Sequence, residues 1–523
     1  MPRYRTSSYS VWRMCLIVFL ALLAVLPIAI PDSTRAVTAS GDLPRYIDEF
    51  TVPTPNAAPL AITVDKHGDV WFTESNVSKV GRFSPSTNSF SEYSIPGVGD
   101  MWGITIDQNG YVWFTQYSGR GSVNPGGSIM AGGQGRLGRL DAATGNVSFV
   151  DIPTVGSFPF RIIADRENRI WFTELLGNRT GVYDQTTEKL TEYEVSKALS
   201  GPADLAFDQD GMLWFTESFD RKVVRFNPQT GESTEFSFGS QVFSPVGISI
   251  DNQGHVWVAD HGGNWIAEFN PQTQTIIRYP THMIQGDLTI PNGLLIDDEG
   301  RVWFSEHVGN AIGYFDPRSQ SMIEFSIPTG PISTLLWIAL APNGDVWFTE
   351  WSSNKIGVVH ADRSVPISLQ SSQKQLQLEP GKEASVSIDV KTARDIGGNG
   401  VLEYSWGTYN PREVSVSFSP QNPSLVGLAD VAVQAKLKIS ESTKSGNYTL
   451  GLGIEVGAVR VWTMVQAQVV PPTSTSSSQP LLAFVAIPIL ALVGLGGLLF
   501  VRRAHRKPSA EQASHAGSGL NIE

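Results

Sequence analysis

The stretch Val70-Trp71-Phe72-Thr73-Glu74, "VWFTE", decides the reading of this chain. Near-copies begin at Val112 ("VWFTQ"), Ile170 ("IWFTE"), Leu213 ("LWFTE"), Val256 ("VWVAD"), Val302 ("VWFSE") and Val346 ("VWFTE"). Successive tryptophans are 42, 58, 43, 43, 46 and 44 residues apart. A period of this size built from short strands is the signature of a β-propeller. One unit reads in full as four strands: Pro245 to Asp251, His255 to Asp260, Asn264 to Pro271 and Thr275 to Pro280. The apolar part of the word has no alternation, as expected of a strand covered on both faces. After Trp347 only a third strand follows, Asn354 to Asp362. Tyr46 to Pro53 resembles fourth-strand text, so the N-terminal segment is predicted to complete the last unit and leave no open edge.

Working outward, the chain of 523 residues is too long for one core. The fold predicted is all-β: a seven-bladed propeller over 45–362, then an immunoglobulin-like β-sandwich over 364–470. The sandwich rests on alternating strands such as Ala384 to Val390 and Ala432 to Ser440. A Pro/Ser/Thr stalk follows at 471–480. Residues 481–501 carry no charge and are long enough to form a transmembrane helix. "RRAHRK" comes next and places the tail, 502–523, on the cytoplasmic side. Residues 1–39 read as a signal peptide, with an uncleaved anchor as the alternative. The expected layout is a single-pass protein of the cell membrane, monomeric, with its β domains outside. Net charge is −12 and no basic stripe stands out, which argues against nucleic acid. The one cysteine, Cys15, lies in the N-terminal apolar run, so the rest of the chain has no disulfide and no thiolate chemistry.

The acid that ends the word is the only repeated hint of function: Glu74, Glu174, Glu217, Asp260, Glu306 and Glu350, with Gln116 in the second unit. Strand direction puts these positions on one side of the disk. Tyr117, His261, His307 and Trp351 stand one residue further on, and Trp102, Phe160, Asn292 and Trp337 at the strand starts. Together they predict a binding mouth for an extracellular small molecule, peptide or glycan. His261 and His307 are the candidate bases, and Trp102, Tyr117, Asn292, Trp337 and Trp351 the candidate binding residues. Carboxylates of this kind suit Mg²⁺ or Ca²⁺. An acid repeated in every unit also fits a structural role, hydrogen-bonding a neighbouring turn. The glycine-rich insertion at Tyr117 to Arg136 lacks the Lys-Ser/Thr of a phosphate loop and reads as a surface loop.

The unit text "GITIDQNGYVWFTQ" (Gly103 to Gln116), "ADLAFDQDGMLWFTES" (Ala203 to Ser218) and "GDVWFTEWSSNKIG" (Gly344 to Gly357) resembles the streptogramin lyase family over the whole propeller. The resemblance implies a metal-assisted elimination that opens a cyclic depsipeptide, with Glu306 and Glu350 as metal ligands. The family's histidines stand before the Gly of a "P-H-G" segment. The matching positions here are taken as Leu60, Trp102, Phe160, Ala203, Val246, Asn292 and Trp337, none of them histidine. His261 or His307 would have to supply the base. "PNGLLID" (Pro291 to Asp297) is similar to gluconolactonase-type propellers, which implies a metal-dependent lactone hydrolase as a further alternative. The layout itself favours a recognition module.

Overall fold

The computed structural model describes residues 43–97, 99–118, 133–195, 200–282, 289–330, 333–407 and 413–471. The predicted signal peptide, membrane span and tail, nearly all of the stalk and most of the glycine-rich insertion lie outside them. Among the described residues no helix is long and apolar enough to cross a membrane.

The repeated word sits in the same place each time, as the second strand of an antiparallel four-stranded sheet. The sheets span 59–94, 104–151, 159–194, 202–237, 245–280, 291–326 and 335–359, and are numbered 1 to 7 here in that order. Every residue of every copy is buried. In five sheets the Phe of the word lies over a glycine of the third strand. A Cβ at Gly81, Gly138, Gly181, Gly313 or Gly357 would overlap the ring. Each Trp is fixed from the other side. Asp65, Asp107, Asp165, Asp208, Asp251 and Asp297 accept the indole N–H at 2.7–3.1 Å while capping the turn before the word. Trp347 lacks this partner, because Ala341 fills the place.

Neighbouring sheets pack first strand to first strand in a closed circuit, which makes the repeat a β-propeller. The Thr or Ser of the word stitches that circuit. Its hydroxyl donates to a first-strand carbonyl of the next sheet: Thr73 to Met101, Thr115 to Phe160, Thr173 to Ala203, Thr216 to Val246, Ser305 to Leu336 and Thr349 to Leu60. The last of these joins sheet 7 back to sheet 1. The N-terminal strand, Ile47–Thr51, pairs with Lys355–Val359 and completes sheet 7.

Beyond Arg363 a second module forms from two sheets. One holds Ile367–Ser371, Glu383–Thr392, Asp430–Ile439 and Val414–Ser419 in spatial order. The other holds Gln375–Leu378, Val459–Val469, Gly446–Val456 and Val401–Trp406. Their alternating residues bury a shared core that includes Ile388, Ala435, Leu452 and Val465. This module is no detached spacer. Its strand Val459–Val469 pairs with Ser321–Ser326, the outer strand of sheet 6, and the two sheets merge into one of eight strands.

Candidate functional site

Register defines what faces the channel. In six sheets the first residue of the first strand opposes the acid of the word, as in Pro59↔Glu74, Pro291↔Glu306 and Leu335↔Glu350; in sheet 2 the strand starts later, at Ile104. The next residues in turn are Leu60, Trp102, Phe160, Ala203, Val246, Asn292 and Leu336. Trp337 therefore does not occupy the seventh of these positions, as the sequence suggested. It stands one residue further, level with Ala61, Gly103, Arg161, Asp204, Gly247 and Gly293. Sheet 7 begins with Leu335 and carries no "P-x-G" to mark the alignment.

Of these, Leu60, Phe160, Ala203, Val246, Leu336 and Trp337 share one buried apolar cluster, and the half-buried Trp102 and Trp351 pack against it. Arg161 of sheet 3 reaches across to sheet 7, its guanidinium 3.9 Å from the centre of the Trp337 ring. Its Nε donates to Asp204 Oδ1 at 2.9 Å. Phe160 meets Trp337 edge-on at 5.9 Å, and Trp102 lies 5.4 Å from Phe160. The result is an aromatic floor clamped by a cation–π contact. Its donors include the Trp102 and Trp351 Nε1–H groups and Arg161 Nη1, which have no hydrogen-bond partner among the described residues.

Of the other candidates, Tyr117 belongs to the same cluster and Asn292 borders it, whereas the two histidines pair with each other. Tyr117 is buried against Phe158, and its hydroxyl accepts from Gly133 N at 3.0 Å. Asn292 is buried and donates through Nδ2 to Leu336 O at 2.8 Å, linking sheets 6 and 7. His261 and His307 are both fully enclosed and meet each other, Nε2 to Nδ1, at 3.3 Å. Burial pushes both imidazoles down, His307 to about 4 and His261 well below its ordinary value, where the His307 neighbour adds to the effect.

The acids of the word do not line the channel. Glu74 lies on the same sheet face as Phe72 and leans over the third strand of its own sheet, at Gly81. There it meets Lys79 and Glu92. Glu350 likewise lies by Lys355 and Glu49, whereas Glu306 lies by Glu324. Asp260 accepts from Phe243 N and Ser244 N at 2.8 and 2.7 Å, and Gln116 accepts from Arg136 at 2.8 Å. Asp260 thus hydrogen-bonds a neighbouring turn, whereas both carboxyl oxygens of Glu74, Glu174, Glu217, Glu306 and Glu350 are buried with no hydrogen-bond partner among the described residues. Burial raises the carboxyls of Glu74 and Glu217 to about 7 and those of Glu174 and Glu350 to about 8. Glu306 and Glu350 do not converge with each other or with the histidines. No group of three or more His, Cys, Asp or Glu side chains that could hold a metal occurs among the described residues. The residues present do not fit a Mg²⁺ or Ca²⁺ site of the kind the family resemblance implied.

Sequence reasoning passed over Arg161 and Asp204. Their signal was available: both replace the small residue that sheets 1, 2, 5 and 6 keep at this level.

Residues 129–283 match the model of the virginiamycin B lyase family. A streptogramin B lyase structure is 25% identical, with a TM-score of 0.52, over 60% of this chain and 97% of that one. Virginiamycin B lyase from Staphylococcus aureus is 24% identical, with a TM-score of 0.51, over 60% of this chain and 99% of that one. A catalytically inactive form of the latter with quinupristin matches as well, at 24% identity and a TM-score of 0.51, over 60% of this chain and 98% of that one. No curated protein matches the chain. The class is thus an all-β propeller, and it is similar to the virginiamycin B lyases.

Proposed function

We propose that this chain is a membrane-anchored, outward-facing recognition protein. In this reading a seven-bladed propeller holds the ligand, and an immunoglobulin-like sandwich fused to its sixth blade presents it. The uncharged run 481–501 followed by "RRAHRK" supports the anchor, and the basic and apolar N-terminus supports export. The observation that carries recognition is the aromatic cluster at the strand starts: Phe160, Trp337 and Leu336 are buried there, beside buried indole N–H groups of Trp102 and Trp351 that have no partner among the described residues. Apolar surface with a few convergent donors suits a small molecule or peptide that has an apolar body and carbonyl acceptors. An elimination needs a base matched to the working pH. A histidine held near 4 and hydrogen-bonded to a second histidine is a weak base at neutral pH, and no histidine stands on the floor.

The second reading, a lyase of the virginiamycin B lyase type, is favoured by the 25% identity to a streptogramin B lyase. A gluconolactonase-like hydrolase rests on "PNGLLID" alone, whose Asn292 is already engaged with Leu336. One experiment separates recognition from lysis. The full-length chain is incubated with a cyclic depsipeptide, with and without Mg²⁺, and followed by mass spectrometry and tryptophan fluorescence. The recognition reading expects intact depsipeptide and a fluorescence change that Trp102→Ala abolishes. Linear product that His307→Ala abolishes would establish the lyase instead.

A further inference from the structure

A cleft of about 1060 Å³ lies away from the channel, between the outer strand of sheet 5, Thr275–Pro280, and the outward face of the second module. Its floor is ordered by strand register. Gln377 pairs with Gln468, which pairs with Asn447. In the next row Gln375 pairs with Gln466, which pairs with Thr449. Partners in register share a face, so three adjacent strands carry two rows of three neutral hydrogen-bonding side chains; four are exposed, Gln466 is half-buried, and Thr449 is buried and donates to Gln466 at 3.4 Å. Strands lie about 4.8 Å apart and alternate residues about 6.7 Å along a strand, so the six groups form a flat grid. Leu376, Leu378, Ala467 and Val469 alternate with them and face the module's core. The opposite wall adds Gln241 and Gln274. Arg278 is the one charged residue lining the cleft, and no carboxylate lines it, among the described residues.

An amide side chain both donates and accepts, and so does a sugar hydroxyl. A grid of amides with almost no charge offers little to a phosphate or a metal ion, and its rows have no deep apolar socket for a peptide anchor. We propose that this cleft is a carbohydrate-binding site for a neutral oligosaccharide, distinct from the propeller mouth and independent of what the mouth holds. The sugar has two possible sources. It comes from outside, or it is the chain's own, because Asn447-Tyr448-Thr449 is an acceptor sequence for N-linked glycan and Asn447 is exposed in the grid.

The test is calorimetric titration of the purified full-length chain with maltohexaose, cellohexaose and mannohexaose. Binding of at least one is expected. The double variant Gln377→Ala/Gln468→Ala, at two exposed positions, is expected to weaken it at least tenfold with an unchanged melting temperature. Asn447→Gln keeps an amide and removes any attached glycan. If this variant alone binds, the natural occupant is the chain's own sugar; if parent and variant both bind, the sugar comes from outside. The proposal is overturned if neither binds any of the three, or if the double variant binds as tightly as the parent.

Discussion

Sheets 6 and 7 carry the same acid at the same place and neutralise it in different ways. In sheet 7, Glu350 opposes Lys355 across the register, and Lys355 Nζ donates to Glu49 Oε2 at 2.8 Å. Thr329 completes the group, its N and Oγ1 donating to Glu49 at 2.8 and 2.7 Å. Although burial works against it, Glu49 is held below its ordinary value by Lys355 and Thr329. Sheet 1 repeats the arrangement with Lys79, Glu92 and Thr54. In sheet 6 the opposing residue is Ala311, and Glu306 and Glu324 are fully buried without a cation of their own sheet. The second module supplies what is missing. Arg460 reaches in, donating to Ser326 Oγ at 3.1 Å and pairing with Glu455 at 3.4 Å. Trp462 Nε1 and His282 N each donate to Glu324 at 3.0 Å. Burial and mutual repulsion still hold the Glu306 carboxyl well above its ordinary range, and burial raises Glu324 as well. Most of the propeller is self-sufficient sheet by sheet. Sheet 6 is completed by another part of the chain, which ties the two modules into one unit.

Several changes would break or sharpen that contrast. The largest effect should follow removal of the second module by ending the chain after Arg363. Sheet 6 would lose the partner of its outer strand and the Arg460 guanidinium, while sheets 1 to 5, whose outer strands pair with no further strand, would be unchanged. Hydrogen exchange should then show protection lost in 291–326 first, with aggregation through the exposed edge. Next comes Arg460→Met, which breaks the buried guanidinium's pairs with Glu403 and Glu455 and removes its longer-range attraction for Glu306 and Glu324, and should cost about 3–5 kcal/mol in denaturant unfolding. Adding Ala311→Lys, which copies the sheet 7 arrangement, should restore part of that loss. A smaller effect is expected from Trp171→Phe, about 1–3 kcal/mol, because Asp165 is left without its indole donor. Trp347→Phe should cost less, since Trp347 has no such partner.

A separate effect is on pH dependence. In the folded chain Glu174 and Glu350 titrate at about 8 and Glu74 and Glu217 at about 7, against an ordinary 4.5. A raised carboxyl means that the folded state holds its proton more tightly. This contribution is fully present below about 4.5 and is lost as pH rises through 7–8. The melting temperature should therefore fall between pH 5 and pH 9. Glu174→Gln should flatten the fall and leave the acid end little changed.

Much of this architecture was legible in the text. The word "VWFTE" located the second strand of each sheet, and the missing fourth strand after Trp347 pointed to Ile47–Thr51. From sequence the acids read either as part of a binding mouth or as structural; parity places Glu74 on the sheet face of Phe72, over Gly81. Trp337 was misplaced by one residue because sheet 7 starts with Leu335, without the Pro that opens the first strand of five other sheets. The merging of Ser321–Ser326 with Val459–Val469 has no local signature, since pairing between strands over 130 residues apart depends on packing that a single sequence does not display. The Asp six residues before six of the seven tryptophans was visible and passed over.

The dependence of sheet 6 on the second module is best tested by a double-mutant cycle on Glu324→Gln and Arg460→Met, read by denaturant unfolding. We expect a coupling energy above about 1.5 kcal/mol. A coupling within about 0.3 kcal/mol of zero would contradict it, because the two modules would then share a sheet without sharing charge.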